Sequence, residues 1–345
     1  MTRSVTGTPV RAAGVSFRAH PRGVIVVLAL LIAVAGLAVL ALFTGDFHLT
    51  LDQLVNTLNG EGTGGQEYVV YDLRLPRLAV AILVGAALGV SGAIFQSLSR
   101  NPLGSPDLIG FSSGSATGAI LVLIVFGGGV AQIALGSIVG GIVAAVLVYG
   151  LAYRTGVQGY RLILIGIGVT AVLGSLNTYM LTRAGLRQAQ AAQVWLVGSL
   201  NGRGWSEVVP MAIALGVLLP AAVVLGRKLN LLEMGDETAT MLGVRVEPAR
   251  LTLVVVSVAL TAVATATAGP ITFVALAAPQ LARRLAGSAG PALLPAAAMG
   301  SALLLGGDVL SQRVFGQNAL PVGVATAALG GVYLAWLLAS EWRRR

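Results

Sequence analysis

Cysteine is absent from the 345 residues, and histidine occurs only at His20 and His48. That removes disulfide frameworks, thiolate metal sites, cysteine nucleophiles and histidine-cluster metal sites in one step. Charge is scarce too: 10% of residues are charged, against about 25% in an ordinary soluble domain. Lysine occurs once, at Lys228, and Leu229 follows it. The Gly-Lys-Ser/Thr ending of a phosphate-binding loop is therefore missing, and with it any P-loop ATPase. What is present is apolar: 56% hydrophobic residues, 46 glycines and a mean hydropathy of +0.87. A soluble chain of this length could not cover its surface with so few charges, so the sequence reads as an integral membrane protein.

A helix that crosses a bilayer needs roughly 20 apolar residues. Such runs fall at 24–43, 78–98, 108–126, 131–152, 162–181, 208–225, 251–268, 270–281, 292–305 and 322–338, predicting an all-α polytopic protein of about ten transmembrane helices. The first run exceeds the apolar region of a signal peptide, about 7–15 residues, and is expected to stay uncleaved. With the N-terminus inside, sixteen of the 22 Lys and Arg residues fall on the cytoplasmic side, and Arg74, Arg77, Arg183, Arg187, Arg203 and Arg313 lie outside. That asymmetry is the one expected of a correct topology and puts both termini in the cytoplasm. It also explains the net charge of +9 without nucleic acid. The chain divides into an N-terminal cytoplasmic tail (1–23), one transmembrane domain (24–340) with a cytoplasmic loop at 226–250, and a basic tail (341–345). The outer segments 44–77 and 183–207 are expected to carry short helices near 49–56 and 194–200.

The spans hold almost no ionisable residues; Asp308, near a helix end, is the exception. Ion-coupled carriers keep carboxylates on their pathway, because a charge in hydrocarbon is costly and retained for function. A membrane hydrolase would need a paired nucleophile and base, and no such pair is visible. What is left is a polytopic pore without engine or catalytic site, to be driven by a partner at the 226–250 loop. There Asp236 suits an N-cap, Ala239 to Leu242 a helix body and Gly243 a left-handed stop; an ordinary solvated turn is the alternative. Gly85/Gly89 and Gly136/Gly140 place small residues on one helix face, for close packing either inside the bundle or between copies.

Several motifs carry a resemblance. Arg74-Leu75-Pro76-Arg77, Ser91-Gly92, Gln96, Arg100-Asn101-Pro102-Leu103, Leu232-Glu233-Met234-Gly235-Asp236, Leu242-Gly243-Val244, Gly269-Pro270-Ile271-Thr272-Phe273-Val274 and Leu320-Pro321-Val322-Gly323 occur in this order. Together they resemble the iron-siderophore/cobalamin-type ABC importer permeases (FecCD-like). Gly92 to Leu98 and Leu231 to Asp236 look most like subunits of the ferric-enterobactin type. The resemblance implies a type II importer permease in the plasma (inner) membrane. It would pair with a second permease subunit, a similar chain favoured and a second copy of this one the alternative, over two ATPase subunits that bind ATP and Mg. This chain itself would hold no cofactor or metal.

The same resemblance assigns roles residue by residue. An extracytoplasmic binding protein would dock its carboxylates on Arg74, Arg77 and Arg313, the last standing one place after Gln312, where relatives often carry the Arg. Headgroup anchoring is the other reading of Arg74 and Arg77. Asn101 and Leu103 match a cytoplasmic gate that faces Gln158 and Gly159, and read equally as a Pro-fixed turn. Asn177 and Thr178 would line the pathway, or bond between helices. Gly235, Asp236, Glu237, Ala239, Leu242, Gly243 and Val244 would form the ATPase coupling segment. Gln280 stands where many relatives have His, so no role of that His transfers. The implied cargo is a ferric siderophore, of catecholate type, with cobalamin or haem as alternatives and an ion-coupled carrier the disfavoured class.

Overall fold

Apolar length, the property that predicted the spans, also organises the computed structural model, which describes residues 8–12, 15–19, 21–45, 47–107, 110–153, 159–315 and 320–342. In chain order the helices are α1 (Pro21–Phe43), α2 (Leu51–Leu58), α3 (Gly64–Glu67), α4 (Leu75–Ser99), α5 (Phe111–Leu121), α6 (Val130–Ala152) and α7 (Gly159–Arg183). After them come α8 (Leu186–Val197), α9 (Trp205–Glu233), α10 (Asp236–Met241), α11 (Val246–Ala268), α12 (Val274–Ala286), α13 (Leu293–Phe315) and α14 (Val322–Trp342). Seven stretches among the described residues are long and apolar enough to cross a membrane, and Phe111–Phe126 and Val322–Trp336 are shorter apolar helices. With α12, ten helices answer to the ten predicted runs. The thirteen residues of α12 reach only about 20 Å at 1.5 Å per residue.

The departures have local causes. Residues 64–77, expected in the outer loop, continue α4 outward through α3 and a π-helical turn at Tyr68–Arg74. Pro76, in the first turn of α4, has no N–H to give. The ladder widens just ahead of it, with Leu75 N–H bonding back to Val70 O. The 270–281 run begins later, at Val274, because Gly269 (φ +76°) and Phe273 (φ +68°) hold the chain in a break between α11 and α12. The helix foreseen at 194–200 sits earlier, at Leu186–Val197. The short one near 49–56 forms at Leu51–Leu58 with a Thr50/Gln53 capping box. The N-terminal tail departs from the all-helical expectation. Thr8–Ala12 and Val15–Ala19 pair as an antiparallel hairpin, with Thr8 opposite Ala19.

α4 is the buried centre, and α9, α11, α12 and α13 pack around it. Its glycines set the spacing. A Cβ on Gly85 or Gly89 would run into the backbone of Gly300 and Ala296 on α13, and one on Gly92 into that of Ala275 on α12. Gly136 and Gly140 on α6 meet Gly118 and Gly114 on α5 in the same way. Both glycine pairs therefore serve packing within this chain. Polar atoms in the core satisfy each other across helices: Ser91 Oγ lies 2.7 Å from both Ser257 Oγ and Thr261 Oγ1, and Gln96 Nε2 donates to Leu276 O at 2.9 Å.

Candidate functional site

Two polar regions lie at opposite ends of the bundle. At one end a cavity of about 1070 Å³ opens between the end of α1, the π-helical turn, residues 200–204 and the end of α13. It gathers the three arginines singled out in the sequence, Arg74, Arg77 and Arg313, together with His48, Asp72 and Arg203. The last three carry no site role in the sequence, because nothing local ties the 198–204 loop to the 44–77 segment. Burial pulls the Arg203 guanidinium below its ordinary pKa, with Glu207 acting the other way.

The arginines are not free. Arg74 donates to the carbonyls of Leu42 and Phe47, tying the π-helical turn to the end of α1. Arg77 grips Asp308 with both arms of its fork: Nε to Oδ2 at 2.9 Å and Nη2 to Oδ1 at 2.7 Å. Asp308 is only 2% exposed, and Gln312 Nε2 completes its coordination at 2.8 Å. Gln312 thus faces the carboxylate, while Arg313, one residue on, is exposed and donates to Thr44 Oγ1 at 3.2 Å. Asp308, the carboxylate expected within a span, is one half of an ion pair.

At the opposite end the predicted coupling segment folds as α10, with one correction. The N-cap is Gly235, at φ +120°, and Asp236 is the first helical residue. An N-cap side chain turns back on its own helix, whereas the Asp236 carboxylate is drawn away to other elements. Oδ1 accepts from Arg100 at 2.6 Å and Oδ2 from Arg250 at 2.7 Å. Partial burial would raise the Asp236 pKa, but bonds and charge from Arg250, then Arg100, outweigh it and hold the group below its ordinary value. The C-terminus matches the expected stop. Gly243 sits at φ +82°, with Val244 N–H bonding Ala239 O and Gly243 N–H bonding Thr240 O, both at 2.9 Å. Ala239 is buried, Glu237 is exposed, and Met234, Met241 and Leu242 present apolar surface outward at 68%, 85% and 59% exposure.

Beside α10 lies a smaller cavity of about 360 Å³ formed by Gln96, Arg100, Asn101, Pro102, Glu233, Gln280, Arg283 and Arg284. Asn101 Oδ1 accepts from Leu103 N–H at 2.9 Å, and Gly104 N–H bonds Asn101 O at 2.9 Å, so these residues form a closed turn with Leu103 exposed. Gln280 Nε2 ties the turn to α12 through Pro102 O at 2.7 Å. Gly159 opens α7, and Gln158 lies outside the described residues. On α7, Asn177 is buried with its Oδ1 unpartnered among the described residues, and Thr178 is exposed with its hydroxyl turned back to Gly174 O at 3.0 Å. Among the described residues no three His, Asp or Glu side chains converge on a metal-sized site.

Comparison with known proteins fits this layout. The FecCD transport family matches residues 29–340. The ferric enterobactin transport system permease protein FepG of Escherichia coli (strain K12) is 49% identical over 302 residues, covering 88% of this chain and 92% of that protein. The Fe(3+)-citrate import system permease protein YfmE of Bacillus subtilis (strain 168) is 36% identical, over 95% and 98% of the two chains. The hemin transport system permease protein HmuU of Yersinia pestis is 33% identical over 95% and 98%. A solved metal-chelate type ABC transporter in an inward-facing conformation superposes with a TM-score of 0.80 at 28% identity, over 92% of this chain and 99% of that one.

Proposed function

The chain belongs to the FecCD transport family, and from that premise we propose that it is the permease subunit of an ATP-driven importer of ferric siderophores, of catecholate type. The observation that carries the reading is the 49% identity to a ferric enterobactin permease across nearly the whole of both proteins. Chemistry at the two ends of the bundle supports it. The outer cavity, lined by four arginines, suits the carboxylates of an extracytoplasmic binding protein. The exposed apolar residues on and around α10 suit burial against a partner ATPase. ATP and Mg belong to that ATPase, and a second permease subunit completes the path, with α7 on its wall and the Asn101–Leu103 turn at its cytoplasmic exit. Both termini then lie in the cytoplasm of a cell whose plasma membrane holds the assembly.

The deciding experiment is uptake of labelled iron as ferric enterobactin in a strain deleted for this gene, with labelled cobalamin and hemin in parallel. Loss of ferric enterobactin uptake alone, restored by the gene, is the expected result. Loss of cobalamin or hemin uptake instead overturns the cargo while leaving the family intact.

A further inference from the structure

α4 ends on an unusual residue. Arg100 occupies the left-handed region (φ +49°, ψ 33°), which strains an L side chain and suits glycine. Ending the helix does not require an arginine, so its presence points to work done by the side chain. That side chain bridges a hinge. Nε and Nη2 donate to Leu232 O in the last turn of α9, at 3.2 and 3.0 Å, and Nη2 also reaches Asp236 Oδ1 on α10 at 2.6 Å. Between those two attachments lies Gly235, and Gly243 closes the other end of α10; both hold positive φ. α10 is thus a short piece between two glycine joints, held through the Asp236 carboxylate. The second oxygen of that carboxylate is fixed to α11 through Arg250, itself buried and bonded to Glu247 at 2.8 Å.

The residue after Arg100 is Asn101, which begins the closed turn tied at Pro102 to α12. We propose that Arg100 is the positioning residue that carries displacement of α10 into the Asn101–Gly104 turn, with Arg250 holding Asp236 in register for it. The proposal rests on reading α10 as the ATPase contact. A fork is required, because one guanidinium serves a carbonyl and a carboxylate at once, which an ammonium cannot do with fixed geometry. Among the described residues, the Asp236–Arg250 bond leads from α10 to α11, and Arg283 to Glu233 at 2.6 Å joins α12 to α9; neither reaches the turn.

Two measurements test it. In the purified permease, hydrogen exchange of the Asn101, Leu103 and Gly104 amides is compared between wild type, Arg100→Gly and Asp236→Asn. Because glycine relieves the left-handed backbone, Arg100→Gly keeps the end of α4 intact. Both variants should speed exchange of the turn by about tenfold; an unchanged turn in Asp236→Asn overturns the link. In vesicles holding permease, ATPases and binding protein, Arg100→Gly should lower imported chelate per ATP hydrolysed by about tenfold, with Arg100→Lys recovering part of it. A proportionate fall in import and hydrolysis overturns the proposal in favour of a purely structural cap, as does normal import. If the wild-type assembly imports no ferric chelate, the functional reading fails, and the exchange experiment still decides the link.

Discussion

Asp308 shows how much a single pair of side chains holds at this depth. Its carboxylate sits between the Arg77 fork and Gln312 with 2% exposure. Removing the cation would leave a buried charge without a partner, a loss of roughly 3–5 kcal/mol. Arg77→Ala should therefore lower the thermal midpoint in detergent well before any docking is measured, and adding Asp308→Asn should recover most of it. An unchanged midpoint in Arg77→Ala would disprove the pair's structural role. It follows that reversing Arg74 and Arg77 to Glu is a poor test of docking; Arg313→Glu, away from that pair, is the cleaner variant for measuring binding-protein affinity. Asp107, in the turn before α5, is a second, half-buried acid, bonded by Ser112. Burial pushes it up to about 6 against the opposing bond from Ser112. A raised carboxylate penalises folding above that value and ceases to do so below the unfolded value near 4. Asp107→Asn should thus stabilise the protein more at pH 8 than at pH 5, as read by thermal melts at both pH values; equal gains would refute the assignment.

Among the helices, approach distance is the controlling variable. The backbones of α4, α12 and α13 come so close at Gly92 and Gly89 that a Cβ has no room, and the obstacle is carbonyl backbone rather than a side chain that could turn away. Gly92→Val should cost more than the roughly 1–3 kcal/mol of ordinary overpacking and abolish folded protein in the membrane fraction. Gly36 on α1 has open space around it, so Gly36→Ala should be neutral or gain about 0.5–1 kcal/mol. Normal yield of Gly92→Val would contradict the packing. The α10 contacts follow a different rule, set by charge. Asp236 is held below its ordinary pKa, so its two ion pairs persist above about pH 4 and are lost only as pH falls through the lowered value. Transport coupling should show no inflection from this group between pH 6 and 8. An Asp236→Asn variant that shifts a pH profile in that window would contradict the assignment.

For the molecule as a whole, orientation is the property most open to test, and the lack of native cysteine gives a clean background. Asn201→Cys, beside the arginine-lined cavity, should react with a membrane-impermeant maleimide in intact spheroplasts. Thr240→Cys on α10 should react only after permeabilisation. The reverse pattern would invert the topology and with it both end assignments. The two ends also present different chemistry: converging guanidinium groups at one, and a short helix with exposed methionines at the other. That polarity suits a subunit that takes cargo from one partner and force from another.

The number and order of the spans were legible in the sequence, because the apolar length needed to cross hydrocarbon is a local property of the chain. So were the left-handed stop at Gly243 and the motifs that carry the family resemblance. The sequence erred where long-range geometry intervenes. Asp236 looked like a cap because the two guanidiniums that claim it, on α4 and α11, are remote in sequence. Arg77 looked free because Asp308 lies 231 residues away. The outer cavity is assembled from four separate segments, and which way Gly85, Gly89, Gly136 and Gly140 face depends on which helices become neighbours. Hydropathy sets how many helices lie in the membrane; only their packing decides which charges meet, since a salt bridge depends on distance in space and not along the chain.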